Sequence, residues 1–518
     1  MARKPVDRVD RYARLLMEAT EGAAVSPRLG RMQQDIARHP GDCRSALARL
    51  AGLDGGLEDA LVVGYLMFIE VSLLELRLSA DHGGAAAAAS LTGFQADLAD
   101  LAERSGISGD LFHAVTMVLG RAGVDATPEV AAAMGRFAAE FADADDDAGV
   151  PPTIAAALDD VAALAAQDPF TVVDMLFETG HAMPLEAKVA MAETLAGRSD
   201  SAGAGLLLLL NPLPEVRRAA ARALSAVAAR LDGIALRRMI TIRNWLPGKE
   251  RGALDGVIRA ARAAGVDCAG WPKGHLEAIH GSSLDGTGAQ SFMLVARAGR
   301  ERFLGAIMTQ AGISDAHLAP RTKFELDTDL AFAQEEAGIA VLSRQFFDLA
   351  VRHHLHAGLA AGCPPPAGLL EVAEAIGASG WTPQAVDWRA QLEGMRRAVP
   401  RDAVAGDGLA RILAQSELWA ADDPLEQSWF EEGPHVERAL AGRGRRVRAA
   451  DHVLATVVEA ARDKWAEHFT WVAMTHRSNA AAPVRWQNFA VLAGALVDGL
   501  PLAEIGLMRA IADRTADA

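Results

Sequence analysis

Gly281 to Ala316, GSSLDGTGAQSFMLVARAGRERFLGAIMTQAGISDA, reads as β-structure in a chain whose other periodicity is helical. Ser291–Arg297 and Arg302–Thr309 are apolar runs of strand length, joined by Ala298-Gly299-Arg300-Glu301. A short Gly-containing connection between two such runs predicts a β-hairpin. The runs are almost continuously apolar, which predicts cover on both faces. A lone hairpin is marginal in water, so this one is expected to pack against helices or extend a small sheet.

The residues entering the first strand of a hairpin lie beside those leaving the second. Asp285 and Asp315 are thereby expected at one end, with His280 and His317 within reach. Two carboxylates and an imidazole are chemistry for a metal or for acid/base work. Asp-Gly and Ser-x-Asp are also ordinary turn and cap chemistry, which is the stronger reading. The glycines of DGTG precede a strand and not a helix N-terminus, so they do not form a phosphate loop.

At 518 residues, with 51% hydrophobic and 23% charged residues, the chain is globular and too long for one core. Its net charge of -16 disfavours non-specific binding to nucleic acid or an anionic membrane. Cys43, Cys268 and Cys363 are widely separated, which argues against a disulfide framework or cysteine zinc site and for a reducing, cytoplasmic compartment. The start lacks the apolar core of a secretory signal, and Ala60–Leu74 is too short and too charged to span a bilayer. That segment is expected to be a buried helix. No cofactor motif is found: there is no P-loop, dinucleotide fingerprint or nucleophile elbow.

The fold class expected is mainly α, multi-helical, with one small central β-hairpin. Four segments are read: 1–149, helical; 150–270, helical and repeat-like; 271–320, the hairpin; and 321–518, helical. The run Asp143–Pro152, rich in Asp, Gly and Pro, marks the first boundary. Before it, Ser108-Gly109-Asp110 and Thr127-Pro128-Glu129 are helix starts.

Pro184, Pro214 and Pro247 each open a helical pattern, a recurrence on the scale of stacked helical units. Val216, Ala220, Ala223, Leu224 and Val227 share one face, with Arg217, Arg218 and Arg222 elsewhere. The stretch from Pro214 to Leu224, PEVRRAAARAL, resembles the second-helix signature of HEAT-type α-helical repeats, the likeness lying mainly in residues 184–262. That resemblance implies stacked helical hairpins and a scaffold that binds other macromolecules. Fold analogy alone assigns no function.

Glu325–Ala361 is expected as one long helix or two in succession, with Phe332, Ile339, Leu342, Phe346 and Leu349 at helical spacing. His353 and His356 lie three apart on one side, a pair that with Asp348 or Glu336 offers metal ligands. The helix dipole explains histidines near a helix C-terminus equally well. Further on, acid gathers in Glu417–Glu432 and base in Arg438–Arg448. Arg443, Arg445, Arg446 and Arg448 are a candidate partner or phosphate contact, and neutralisation of one patch by the other is the slightly favoured alternative. Trp465 and Trp471 are expected in a core.

Three functions follow from these features. The first is a non-catalytic helical scaffold or adaptor whose protein partner lies on the repeat surface or in a groove beside the hairpin, with Arg217, Arg218, Arg222 and the later arginines as candidate contacts. The second is a metal-dependent hydrolase-like enzyme using Asp285 and Asp315, with the His353/His356 cluster as the alternative site. The third is a nucleic-acid-associated protein using the 438–448 arginines.

Overall fold

The structure, a computed structural model, describes residues 7–20, 32, 35, 38–53, 60–81, 84–144, 154–180, 183–421, 425–441, 446–479 and 485–517. The protein is mainly α-helical with one small sheet. It divides into two compact units, Met1–Met191 and Ala192–Ala518. Most of the Asp-rich run read as a boundary, residues 145–152, lies outside the described residues.

The first unit holds α1 (Arg8–Thr20), α2 (Asp42–Ala51), α3 (Ala60–Asp81), α4 (Ala85–Glu103), α5 (Gly109–Arg121), α6 (Pro128–Ala144), α7 (Ile154–Gln167) and α8 (Pro169–Gly180). The apolar segment of α3 is its centre. Val62, Tyr65, Phe68, Ile69, Leu73 and Leu76 are buried in one core with Tyr12, Leu47, Phe94 and Phe112. Ser108 caps α5, its hydroxyl accepting from the Leu111 amide at 3.3 Å, as the start signal requires.

The second unit opens with α9 (Leu185–Gly197), inside which the division falls, then α10 (Ala202–Leu207), α11 (Pro214–Val227), α12 (Gly233–Asn244) and α13 (Arg251–Ala263). Arg217 corrects the expectation of an exposed arginine row. It is 3% exposed and holds Glu250 with two bonds of 2.6 and 2.8 Å. Its third nitrogen donates to the carbonyls of Asn211 and Pro212. The arginine therefore ties the turn before α11 to the start of α13. Arg218 and Arg222 are exposed and pair with Glu215 and Glu193.

Next come β1 (His275–Gly281), β2 (Gln290–Ala298), β3 (Glu301–Thr309), β4 (Ile313–Pro320), α14 (Lys323–Ala337), β5 (Ala340–Val341) and α15 (Arg344–Ala360). The hairpin β2–β3 is where the sequence placed it, Ala298 facing Glu301 and Gln290 facing Thr309. It is the middle of an antiparallel sheet ordered β4-β3-β2-β1-β5. The extra strands answer the expected need of a lone hairpin for partners. Glu325–Ala361 forms two helices, broken by Gly338 at φ +57 and by β5.

Strand alternation separates the faces. Phe292, Leu294 and Ile307 face α15, Phe292 meeting the Phe347 ring at 5.3 Å. Val295, Leu304, Met293 and Ala278 face α14, which covers them with Leu326 and Leu330. The chain continues through α16 (Gly368–Ala375), α17 (Trp388–Ala398), α18 (Gly406–Gln415), α19 (Pro434–Leu440), α20 (Arg446–Val453), α21 (Arg462–Ser478), α22 (Arg485–Val497) and α23 (Gly506–Asp517). Trp429, Trp465, Phe469 and Phe489 form the aromatic core of this last part, with ring centroids 5.3 to 6.2 Å apart.

Within the second unit the repeat-like helices are joined to the sheet region by two buried contacts. Glu374 on α16 accepts from Arg237 and Arg238 on α12 at 2.7 to 2.9 Å. Burial pushes its pKa up, but these bonds outweigh burial and leave the carboxyl below its ordinary range. The Trp245 indole N–H donates to the Trp381 carbonyl at 2.8 Å.

Candidate functional site

α14 begins with a capping box, Thr322 accepting from the Glu325 amide and Glu325 from the Thr322 amide. Helical spacing then places apolar side chains on two sides of one helix. Leu326 and Leu330 enter the core over the sheet, whereas Phe324 is 78% and Phe332 64% exposed. Phe332 thus departs from the apolar row in which the sequence placed it, because its helix ends at Ala337 and β5 separates it from Phe346 and Leu349 on the next. On the same side of the sheet, Met308 and Val341 are exposed too. The intervening positions of α14 are acidic: Glu325, Asp327, Asp329, Glu335 and Glu336.

The residues first read as a hairpin-end site are not gathered into one. Asp285 accepts from the Thr287 amide, the Thr287 hydroxyl and the Ala289 amide at 2.7 to 2.9 Å, the turn chemistry that competed with the metal reading. His280 and His317 occupy one cross-strand row, His280–Met293–Ala306–His317. Two strands separate them, which puts them about 14 Å apart at the normal strand spacing. Asp315 and His317 do meet on β4, with His317 Nδ1 3.6 Å from the carboxylate, and the histidine holds that carboxyl below its ordinary range.

His353 and His356 do not form a pair either. The His353 ring packs on Trp471 at 4.7 Å, and its Nδ1 accepts from the Val386 amide. His356 is exposed. Asp348 is occupied by Arg344 and by the Trp381 indole N–H, and Glu336 lies across the sheet on α14. Burial, then the neighbouring His356, hold His353 at about 4, and burial holds His354 at about 3. Both are neutral packing groups at pH 7. Among the described residues, no group of three or more His, Cys, Asp or Glu is placed to hold a metal ion.

Arg443 and Arg445 lie outside the described residues, and Arg446 and Arg448 open α20 with side chains that are not described. The expected neutralisation of the acidic segment 417–432 by 438–448 rests on arginine side chains outside the described residues. Glu426 pairs with Arg485, Glu431 with Lys464, and Glu417 with Arg509.

One concave site went unread in the sequence. Gln345, Asp348, Leu349 and Arg352 form one stripe of α15, and Gln384–Asp387 with Gln391 run alongside, enclosing a trough of about 510 Å³. The Gln384 amide donates to the Arg352 carbonyl at 3.0 Å, which fixes the second wall to the first.

Residues 184–265 match the Y4lR second domain, and residues 389–518 match the Y4lR C-terminal helical domain. The chain is 30% identical over 284 residues to "Uncharacterized protein y4lR" of Sinorhizobium fredii (strain NBRC 101917 / NGR234), a match covering 54% of each chain. It therefore spans about half the length of that relative. No solved structure matches. The matched domains flank residues 266–388, the stretch carrying the sheet, α14 and α15.

Proposed function

We propose that this protein is a non-catalytic helical adaptor that binds a protein partner through the outer face of α14. The observation that carries the reading is Phe324 and Phe332, two large aromatic side chains held in water by a well-capped helix. Scattered surface apolar residues are ordinary, but two phenylalanines on one helix, with Met308 and Val341 on the same side of the sheet, mark a contact surface. Asp327 and Asp329 pair with Lys323 and Arg321 and Glu325 closes the helix cap, so Glu335 and Glu336 beside Phe332 are the acids that favour a partner carrying lysine or arginine next to its apolar anchors. The packing of α13 against both α11 and α12 supports the HEAT-type scaffold reading. Three free thiols, Cys43, Cys268 and Cys363, support a reducing, cytoplasmic setting. Among the described residues no helix is long and apolar enough to cross a membrane.

The test is quantitative co-purification from the native host with the full chain and with the Phe324→Ser/Phe332→Ser variant. The adaptor reading expects a near-stoichiometric protein with the wild type, lost in the variant at unchanged Tm. A chain that purifies alone, or a partner the variant retains, ends it.

A further inference from the structure

The trough beside α15 holds a buried polar atom without a partner, Arg352 Nε, among exposed amide and carboxylate groups. The Arg352 guanidinium makes no hydrogen bond or ion pair. Asp348, one turn earlier, accepts instead from Arg344 and the Trp381 indole. Across the trough, Asp387 caps α17 with one oxygen, accepting from the Ala390 amide at 3.0 Å, and leaves the other open. The side-chain amides of Gln345, Gln384 and Gln391 line the same space without protein partners. Leu349, Ala385 and Val386 supply apolar wall.

An unengaged guanidinium calls for a carboxylate. A purely anionic ligand would meet Asp387 and Asp348, so its charge must be balanced by a cation. We propose that this trough binds a small zwitterion, an amino acid or short peptide. Its carboxylate sits on Arg352, its ammonium on Asp387, and its remaining polar atoms on the glutamine amides. The volume is in the range of small-molecule sites. Free amino acid and short peptide share this chemistry and differ in length alone.

The experiment is isothermal titration calorimetry on the full chain with L-alanine, L-glutamine, L-leucine and alanyl-alanine, with propionate and L-alaninamide as single-charge controls. Saturable binding of at least one zwitterion is expected, stronger than either control, and the relative affinity for alanyl-alanine assigns the length. Arg352→Gln weakens it roughly 10- to 100-fold, the loss of one charge-assisted contact. Asp387→Asn keeps the helix cap and weakens the zwitterion while leaving propionate no weaker. If Arg352→Gln does not fold, Gln384→Ala/Gln391→Ala, altered only at exposed amides, is expected to fold and bind more weakly. Absence of saturable binding by every zwitterion overturns the proposal, as does wild-type affinity in these variants.

Discussion

Arg217 shows how a single side chain changes role between pattern and packing. A helical wheel puts it off the apolar stripe of α11, where an arginine is expected in water. Its burial depends on Glu250, 33 residues away, a partner that no local pattern announces. Glu250 is held below the ordinary carboxylate range first by the Arg217 bonds, against the opposing pull of burial. Arg217→Ala strands that carboxylate and two carbonyls, so a loss of about 3–5 kcal/mol is expected. Arg217→Lys keeps the charge and loses the fork, so it recovers only part of that. Urea unfolding of the two variants checks this. A stability change in Arg217→Ala within the range of a surface substitution, about 0.5 kcal/mol, contradicts a structural role and returns Arg217 to the surface contacts.

Among the elements, legibility tracks how much of the apolar signal is local. The hairpin β2–β3 was readable because both strands are apolar on both faces and its turn holds a glycine, Gly299 at φ +61. β1 (HLEAIHG) and β4 (ISDAHLAP) were not, because histidines and acids interrupt them and their half-exposed faces resemble turn sequence. β5 has two residues and exists only through its pairing with His280 and Gly281. The α15 trough was unreadable for a related reason, since its second wall arrives from residues 384–391. Two glycines separate local from long-range demands. Gly299 faces open space and needs only its backbone conformation, so Gly299→Ala costs about 1–2 kcal/mol. A Cβ on Gly368 would stand 1.8 Å from the Ala316 carbonyl oxygen, so Gly368→Ala must push α16 off β4. Gly368→Ala is therefore expected to be the more destabilising in urea unfolding. The reverse order means that α16 does not sit against β4 as described.

On the scale of the whole molecule, acid sensitivity follows from histidines that the fold keeps neutral. Burial holds His353 and His476 at about 4, and His354 and His468 at about 3, all below the ordinary value of 6.5. The unfolded chain takes up these protons as pH falls through 6.5, and the folded chain does not until pH 4 or 3. Stability is therefore complete above 6.5 and is lost below it, by up to about 1.4 kcal/mol per pH unit for each histidine. Lowering pH also relieves the repulsion of a chain with net charge -16, which acts the other way. Salt screens that surface term far more than it alters a buried imidazole, so the comparison belongs at high ionic strength. His468 is the sharpest probe: its ring lies among Trp429, Trp465 and Phe469, and its Nε2 is buried without a partner. His468→Phe is expected to match or exceed wild-type stability at pH 7, since no hydrogen bond is lost. Between pH 6.5 and 5 it is expected to lose stability less steeply, by one histidine's share. Urea unfolding of both proteins at several pH values in high salt measures the two slopes. Equal slopes would mean that His468 binds its proton in the folded chain as readily as in the unfolded one, which its buried position does not allow.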